Sequence, residues 1–247
     1  MSIATATAIA AMGEATRTLG IPVTGGNVSL YNESRMGDEA DPRHTHIWPT
    51  PVMGVLGVLD DAASAVGSAF QDEGDIVFLL GDETRPGLAG SVVQQYLDLP
   101  LGGVLAPVDL ALEARIALVL AEAARQGLAH SAHDIGTGGL IANLAESAVA
   151  GDVGVQIVPT ERLDTAQLLF SESPSRVLVT VPSHHVRDMA QLCIDGDVSL
   201  FDVGTVGGDR ISIQGVLDLA LEDVRDAHLS AVPRAVDPTW DGSVTLI

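Results

Sequence analysis

Apolar residues at helical spacing mark the most regular helix of the chain. In the segment "DLALEARIALVLAEAARQG" they recur every three or four positions, which places them on one face of a helix. Those residues are Leu112, Ile116, Val119, Leu120 and Ala123. Gly127 follows as a helix-ending residue. Similar patterns predict a helix over residues 5–18 that ends at Gly20, and others over "IANLAESAV" and "VLDLALEDVRDAH".

Continuous apolar runs predict strands between these helices. "VMGVLGVLD" (residues 52–60) is nearly all apolar, which is typical of a strand buried on both faces. "IVFLL" (residues 76–80) and the six residues from Arg176 predict two more strands, with shorter ones near "GVQIV" and residues 210–213. Because helices and short strands intermix along the chain, the predicted fold class is α/β or α+β.

A polar, glycine-containing segment, "AFQDEGD" (residues 69–75), predicts a domain boundary before the strand at residues 76–80. We assign residues 1–72 to a partial first domain and residues 73–247 to a complete second domain. The first part opens in mid-helix and supplies too few elements to close a core by itself. Within it, the polar stretch "DEADPRHTHIWPTP" (residues 38–51) is expected to be an exposed loop.

The strongly acidic net charge excludes some classes of binding partner. The 247 residues include 12 basic and 33 acidic side chains, a net charge of −21, which would repel a nucleic-acid backbone or an anionic membrane. Phosphorylated small molecules remain possible partners, because a bound divalent cation inverts the local charge. No apolar stretch is long enough to span a membrane and the start lacks a basic leader, so we expect a cytoplasmic protein. The single cysteine, Cys193, is expected to be a core residue.

The first candidate site is "TGGNVSLYNES", which combines paired glycines with oxygen-bearing side chains. Gly25 and Gly26 lack a Cβ, so their backbone N–H groups can approach an anionic ligand closely. The carboxamide of Asn27 offers an oxygen suited to Mg²⁺. Ser29, two positions on, faces the same side of an extended segment. A strand-to-loop turn with capping asparagines explains the same pattern, and punctuation is the more common use of paired glycines.

The second candidate is "AHSAHDIGTGGL", in which glycines precede a helix whose first N–H groups can hold an anion. His130, His133 and the adjacent Asp134 suggest a metal site, yet no third or fourth ligand is evident nearby. The pattern therefore favours a turn with satisfied hydrogen bonds that docks the helix against the sheet.

A third segment, "LLFSESPSR", places Glu172 and Arg176 four residues apart around a proline. A local ion pair is the simplest interpretation of this spacing.

Four segments in order resemble one family. They are "LGIPVTGGNVSLYNES", "PTPVMGVLGVLDD", "AHDIGTGGLIANLAE" and "LLFSESPSRVLVTV". Together they are similar to the second half of phosphoribosylformylglycinamidine synthase, the synthetase subunit of purine biosynthesis. Four ordered motifs across most of the chain are far more specific than one glycine turn. The resemblance implies a PurM-like α/β architecture, with a partial N-terminal-type domain followed by an entire C-terminal-type domain.

The resemblance also implies an activity and its ligands. Members of the family use ATP to phosphorylate the amide oxygen of formylglycinamide ribonucleotide, and ammonia then displaces phosphate to leave the amidine. A glutaminase subunit supplies the ammonia, and a small accessory subunit bridges the complex. By position, Gly26 would contact ATP, Asn27 would bind Mg²⁺ and Ser29 would touch the ribonucleotide. For this stretch, the resemblance favours a site over a turn.

Departures from the family limit what the chain is expected to do alone. The family's catalytic histidines and acidic metal ligands lie in the first half, which this sequence lacks. We therefore expect no turnover without the missing N-terminal half, and self-association through apolar surface that the partial domain leaves uncovered. The chain has Gly136 and Thr137 where the family usually has Ser and Asp, which weakens nucleotide binding by the last domain and suggests a structural role for it.

Two other functions compete with this reading. In the first alternative, the chain is a non-catalytic module whose last domain holds a nucleotide or a partner subunit. In the other, the chain would be a stand-alone relative with aminoimidazole ribonucleotide synthetase activity, which requires N-terminal elements that the sequence lacks.

Overall fold

The computed structural model describes residues 3–28, 33–36, 43–46, 50–82, 87–100, 102–159, 164–237 and 239. The chain divides into two compact units, Met1–Asp60 and Asp61–Ile247. The second unit begins ahead of the boundary expected between residues 72 and 73, and Phe70 lies in its core.

The first unit contains one helix and one hairpin among its described residues. Helix α1 (Ile3–Thr18) ends where the sequence predicts, and Gly20 follows with a φ of +68°. Strands β1 (Glu33–Met36) and β2 (Arg43–His46) pair antiparallel. The prediction of a loop over residues 38–51 was therefore wrong at β2. Polar side chains suggest a loop, but a strand is stabilised by backbone hydrogen bonds, which β2 makes with β1.

Residues 52–60 form no strand, so that prediction was also wrong. Their apolar side chains face solvent, with Val52, Leu56 and Val58 exposed by 90%, 92% and 88%. A buried strand needs a neighbouring strand to pair with and a layer over each face. Within the described residues of the first unit, β1 and β2 pair only with each other, and the apolar run has no strand beside it.

The second unit consists of a seven-stranded sheet and six helices among the residues described. Its strands are β3 (Ile76–Gly81), β4 (Ser131–Asp134), β5 (Val155–Ile157), β6 (Arg176–Val181), β7 (Leu200–Val206), β8 (Arg210–Ile213) and β9 (Leu217–Ala220). Its helices are α2 (Val92–Tyr96), α3 (Leu110–Gln126), α4 (Gly139–Gly151), α5 (Thr165–Phe170), α6 (Val186–Asp195) and α7 (Leu221–Val236). None of the helices in the described ranges has both the length and the apolarity that a membrane crossing requires.

The sheet is mixed and covered on both faces. Its order is β4-β6-β3-β7-β5-β8-β9, and the pairs are antiparallel except for β5 with β8. Along β3, Val77 and Leu79 join one hydrophobic core while Phe78 and Leu80 join another, as alternation along a strand requires. Helices α4, α5 and α7 contribute to the first core, and α3 and α6 to the second. The α/β class is confirmed.

Helix α3 confirms the strongest sequence pattern of the chain. Its buried residues are Ile116, Val119 and Ala123. Oδ1 of Asp109 caps the helix by accepting hydrogen bonds from the backbone N–H groups of Ala111 and Leu112, at 3.0 Å each. Gly127 ends the helix with a φ of +67°, which a residue with a Cβ rarely adopts.

The last predicted helix was wrong at its beginning. Residues Leu217–Ala220 form β9, which pairs antiparallel with β8, and α7 begins only at Leu221. The apolar pattern of this segment fits both a helix and a strand. The exposed edge of β8 decides in favour of the strand, because its backbone groups need partners.

Candidate functional site

The glycine-containing stretch of the first unit is open to solvent. Gly25, Gly26 and Asn27 are all exposed, in a segment without regular secondary structure. Neither glycine has a positive φ, and a Cβ added to either would meet no atom within 4 Å. The chain's own packing, as far as it is described, therefore does not require glycine at these two positions. The missing Cβ atoms leave room for a ligand to approach the backbone.

Asn27 presents an accessible carboxamide. Within the described residues its side chain makes no hydrogen bond. An unengaged amide oxygen is available to a hard cation such as Mg²⁺. Ser29, the predicted substrate-binding residue, lies outside the described residues. The roles of Gly26, Asn27 and Ser29 therefore stay predictions, two of which fall on accessible surface.

A complete metal site is not formed by the described part of the chain. It contains no group of three or more His, Cys, Asp or Glu side chains that could hold a metal ion. Mg²⁺ requires octahedral oxygen coordination and usually keeps several waters. A magnesium ion at Asn27 would therefore draw its other ligands from water, from a nucleotide or from further polypeptide.

The glycine turn before α4 is tightly packed and held by internal hydrogen bonds. Gly138 and Gly139 enter the helix with φ values of +85° and +70°. A Cβ on Gly139 would lie 2.7 Å from the carbonyl oxygen of Leu169, too close for any side chain. Asn143 closes the turn, because its side-chain nitrogen donates to the carbonyl oxygen of Asp134 at 2.8 Å.

The two histidines before this turn have separate partners. Nε2 of His133 lies 2.9 Å from a carboxylate oxygen of Glu146 on α4. Nδ1 of His130 lies 2.7 Å from a carboxylate oxygen of the buried Asp75. The two rings do not converge on one ion, so the contacts favour a satisfied turn over a metal site.

A carboxylate from a distant part of the chain binds the N-terminus of α4. Oε1 of Glu172 accepts hydrogen bonds from the backbone N–H of Gly138 at 2.8 Å and of Val92 at 2.9 Å. These residues are the N-cap of α4 and the first residue of α2. Helix N-termini favour negative charge, so Glu172 supplies the anion that the sequence pattern would allow a ligand to supply. The contacts span 34 and 80 residues, and no local pattern predicts them.

Arg176 holds the segment that carries Glu172. Its guanidinium is buried, and it donates to the carbonyl oxygens of Ser173 at 3.0 Å and Ser171 at 2.8 Å. A buried charge of this kind requires hydrogen-bond acceptors. Glu172 and Arg176 thus act through different partners, and not through the local ion pair that their spacing suggests.

One protein-family model matches most of the second unit. The model of the family described as "AIR synthase related protein, C-terminal domain" matches residues 72–215. This range contains strands β3 to β8 and the glycine turn before α4.

Similar curated proteins are subunits of one enzyme. The chain is 40% identical over 228 residues to phosphoribosylformylglycinamidine synthase subunit PurL of Streptomyces coelicolor, covering 92% of this chain and 29% of that protein. It is 41% identical over 226 residues to PurL of Thermobifida fusca, covering 90% of this chain and 28% of that protein. The chain therefore spans less than a third of the length of these relatives.

Solved structures share the fold. Thermotoga maritima PurL complexed with FGAR matches with a TM-score of 0.61 at 16% identity, covering 87% of this chain and 36% of that one. The same protein complexed with ATP matches with a TM-score of 0.60 at 16% identity, covering 88% and 35%. At this identity the likeness concerns architecture, and it confirms the PurM-like fold.

Proposed function

The chain belongs to the AIR synthase-related family and is homologous to PurL, and from that premise we propose that it is part of an ATP-dependent phosphoribosylformylglycinamidine synthase of purine biosynthesis. The observation that carries this proposal is the 40% identity to a PurL subunit over 92% of the chain. The reaction would convert formylglycinamide ribonucleotide to its amidine with ammonia and ATP, which makes the complete enzyme a carbon–nitrogen ligase.

The stretch around Asn27 would contribute to the composite active site. When bound, ATP supplies the phosphoryl group that activates the amide oxygen of the ribonucleotide. The backbone N–H of Gly26 would donate to a phosphate oxygen, and the carboxamide oxygen of Asn27 would hold Mg²⁺. The hydroxyl of Ser29 would orient the ribonucleotide. The exposure of Gly26 and Asn27 and the unengaged carboxamide support the first two roles.

Further polypeptide would complete this site. Phosphoryl transfer depends on several charged groups fixed around the reacting phosphate. The described residues offer Asn27 without a carboxylate or imidazole cluster beside it. Because the chain spans 29% of the length of a PurL relative, we infer that the remaining ligands come from the rest of such a protein. The chain alone would then be inactive.

The exposed apolar residues 52–59 would meet the same missing polypeptide. A strand-like sequence with exposed valine and leucine side chains is suited to pairing with a strand from another segment. Without that partner the surface would promote self-association. In the complete enzyme we also expect a glutaminase subunit that delivers ammonia, a small accessory subunit, and a cytoplasmic location.

Substitution of Asn27 in the complete synthetase tests the proposal. Asn27→Ala removes the candidate ligand, and we expect the Mg²⁺ concentration for half-maximal activity to rise about tenfold or more, since changes around a metal site commonly cost 10- to 100-fold in affinity. Asn27→Asp keeps an oxygen ligand and should retain most of the Mg²⁺ affinity. Thr24→Ala, at a neighbouring exposed position, is the matched control. An unchanged Mg²⁺ dependence in Asn27→Ala would remove this residue from the site.

The runner-up is a non-catalytic module whose last domain holds a nucleotide or a partner subunit. Its support is the glycine turn at the N-terminus of α4, and its difficulty is that Glu172 already accepts from the Gly138 N–H there. Calorimetric titration with Mg·ATP separates the two functions. Tight binding that survives Asn27→Ala and is lost in His133→Ala would favour the module.

A further inference from the structure

The segment that leads into β3 lies on the surface of the second unit. We define residues 67–74 as the strap. Phe70 is its one buried residue, because residues 67–69 and 71–74 are exposed or half-buried. Segments with few buried contacts open locally at a lower free energy than the core around them. The strap therefore has the burial expected of a segment that opens by itself.

The strap covers the outer edge of β4. Strand β4 lies at one end of the sheet, and within the described residues its only strand partner is β6. On the side away from β6, the N–H of Ala132 donates to the carbonyl oxygen of Gly67 at 2.9 Å. The carbonyl oxygen of His130, immediately before β4, accepts from the side-chain nitrogen of Gln71. The strap thus satisfies backbone groups that an uncovered edge would offer to another chain.

One aromatic residue anchors the strap against α4. Phe70 is 2% exposed and joins the core to which α4 contributes. Its N–H donates to the carbonyl oxygen of Ser147 on α4 at 3.1 Å. A Cβ on Gly151 would lie 2.1 Å from the carbonyl oxygen of Phe70, so the backbones of strap and helix are in direct contact. The strap therefore joins the edge of β4 to α4.

The C-terminal end of the strap is fixed to the sheet. The N–H of Gly74 donates to the carbonyl oxygen of Val206 at 2.9 Å, and the N–H of Val206 donates to the carbonyl oxygen of Asp75 at 2.9 Å. The buried carboxylate of Asp75 lies 2.7 Å from Nδ1 of His130. Gly74 has a φ of +91°, which glycine adopts without strain. Movement of the strap is thereby confined to the part that precedes Gly74.

We propose that the strap is a conformational latch, which opens and closes as one unit over the edge of β4 while the sheet stays folded. Opening breaks the contacts of Gly67, Phe70 and Gln71 together, because these residues lie within five consecutive positions. Closing keeps the edge of β4 from pairing with another chain.

Native-state hydrogen exchange of the 247-residue chain, followed by NMR at low urea concentrations, tests this latch. We expect the amide protons of Phe70 and Ala132 to exchange faster than those of Ile76–Gly81. Their rates should hardly change with urea, because opening the strap exposes little surface. Both amide protons should show the same protection factor, since one event frees them both.

Gln71→Ala removes one contact of the strap at an exposed position. We expect the protection factors of Phe70 and Ala132 to fall together by roughly two- to tenfold, the usual effect of losing one hydrogen bond. Gln126→Ala is the matched control, because it removes an exposed glutamine that donates to Glu122 on α3. It should leave both protection factors unchanged.

A urea dependence of Phe70 and Ala132 equal to that of the β3 amides would overturn the proposal, because the strap would then open only on global unfolding. Unchanged protection of Phe70 in Gln71→Ala would also overturn it, because the contacts with His130 and with α4 would then open separately. Neither measurement involves a nucleotide or Asn27, so every outcome leaves the proposed function standing.

Discussion

At the scale of single residues, the contact that organises the second unit is a carboxylate far from its partners in sequence. Glu172 joins the N-termini of α2 and α4 through one oxygen atom, and the buried Arg176 holds the segment that presents it. Glycine spacing predicts the turn at α4 but not the residue that caps it. The cap belongs to a contact 34 residues away, which local patterns do not encode.

We expect Glu172→Ala to lower the free energy of unfolding by about 1–2 kcal/mol, because two backbone N–H groups lose their acceptor. Glu172→Gln keeps an oxygen acceptor and should lose less. Urea unfolding followed by circular dichroism measures both.

Glu122→Ala is the matched control for this prediction. Arg125 and then Gln126 donate hydrogen bonds to Glu122 and lower the pKa of that carboxyl to about 2. The ion pair lies at the surface of α3, however, and surface ion pairs of this kind contribute little to stability. An Ala substitution at Glu122 that destabilises as much as the one at Glu172 would contradict the proposed role of the Glu172 cap.

Cys193 is predicted to be unreactive in the folded chain. It is buried, and burial raises the pKa of its thiol to about 11. We expect a disulfide reagent at pH 8 to leave it unmodified until the chain is unfolded in urea. Because the folded pKa lies above the unfolded one, this thiol's contribution to stability is present below about pH 9 and is lost as the pH rises towards 11. Rapid modification under native conditions would show that the thiol is accessible.

At the scale of elements, an apolar pattern predicts a strand correctly only where a neighbouring strand is available to pair with it. The strands at Ile76–Gly81 and Arg176–Val181 and the helix at Leu110–Gln126 form where apolar spacing predicts them. Residues 52–60 are as apolar as either strand, yet they form none. The difference is a partner, because each buried strand of the sheet has neighbours on both sides and the apolar run of the first unit has none among the described residues.

The proposed function predicts that the run at residues 52–59 changes its hydrogen exchange when the rest of the synthetase is present. We expect its amides to exchange with deuterium within seconds in this chain and to become protected in the complete synthetase, because pairing satisfies the backbone N–H groups. Amides of Ile76–Gly81, which are paired in the chain itself, provide the internal reference. Equal exchange of residues 52–59 in both forms would contradict their pairing with further polypeptide.

At the scale of the whole molecule, we propose that the chain covers too little of the synthetase to be active alone. The chain covers 29% of a PurL relative, and its described residues hold no carboxylate or histidine cluster for a metal. We expect no ADP release from the chain supplied with formylglycinamide ribonucleotide, ammonia and Mg·ATP, whereas a full-length PurL assayed in parallel should release ADP. Steady turnover by the chain alone would refute the proposal of a composite active site.

The sequence by itself determined the composition of the cores, the helix and strand patterns that the second unit bears out, the acidic charge and the ordered motifs that identify the family. These features depend on side-chain type and short-range spacing, which are written directly in the chain. Only the tertiary structure shows that residues 52–60 form no strand, that Leu217–Ala220 form one, and that Glu172 caps α4. Each of these depends on whether a backbone donor or acceptor finds a partner: β9 finds it in β8 and the start of α4 finds it in Glu172, whereas residues 52–60 pair with no strand among the described residues.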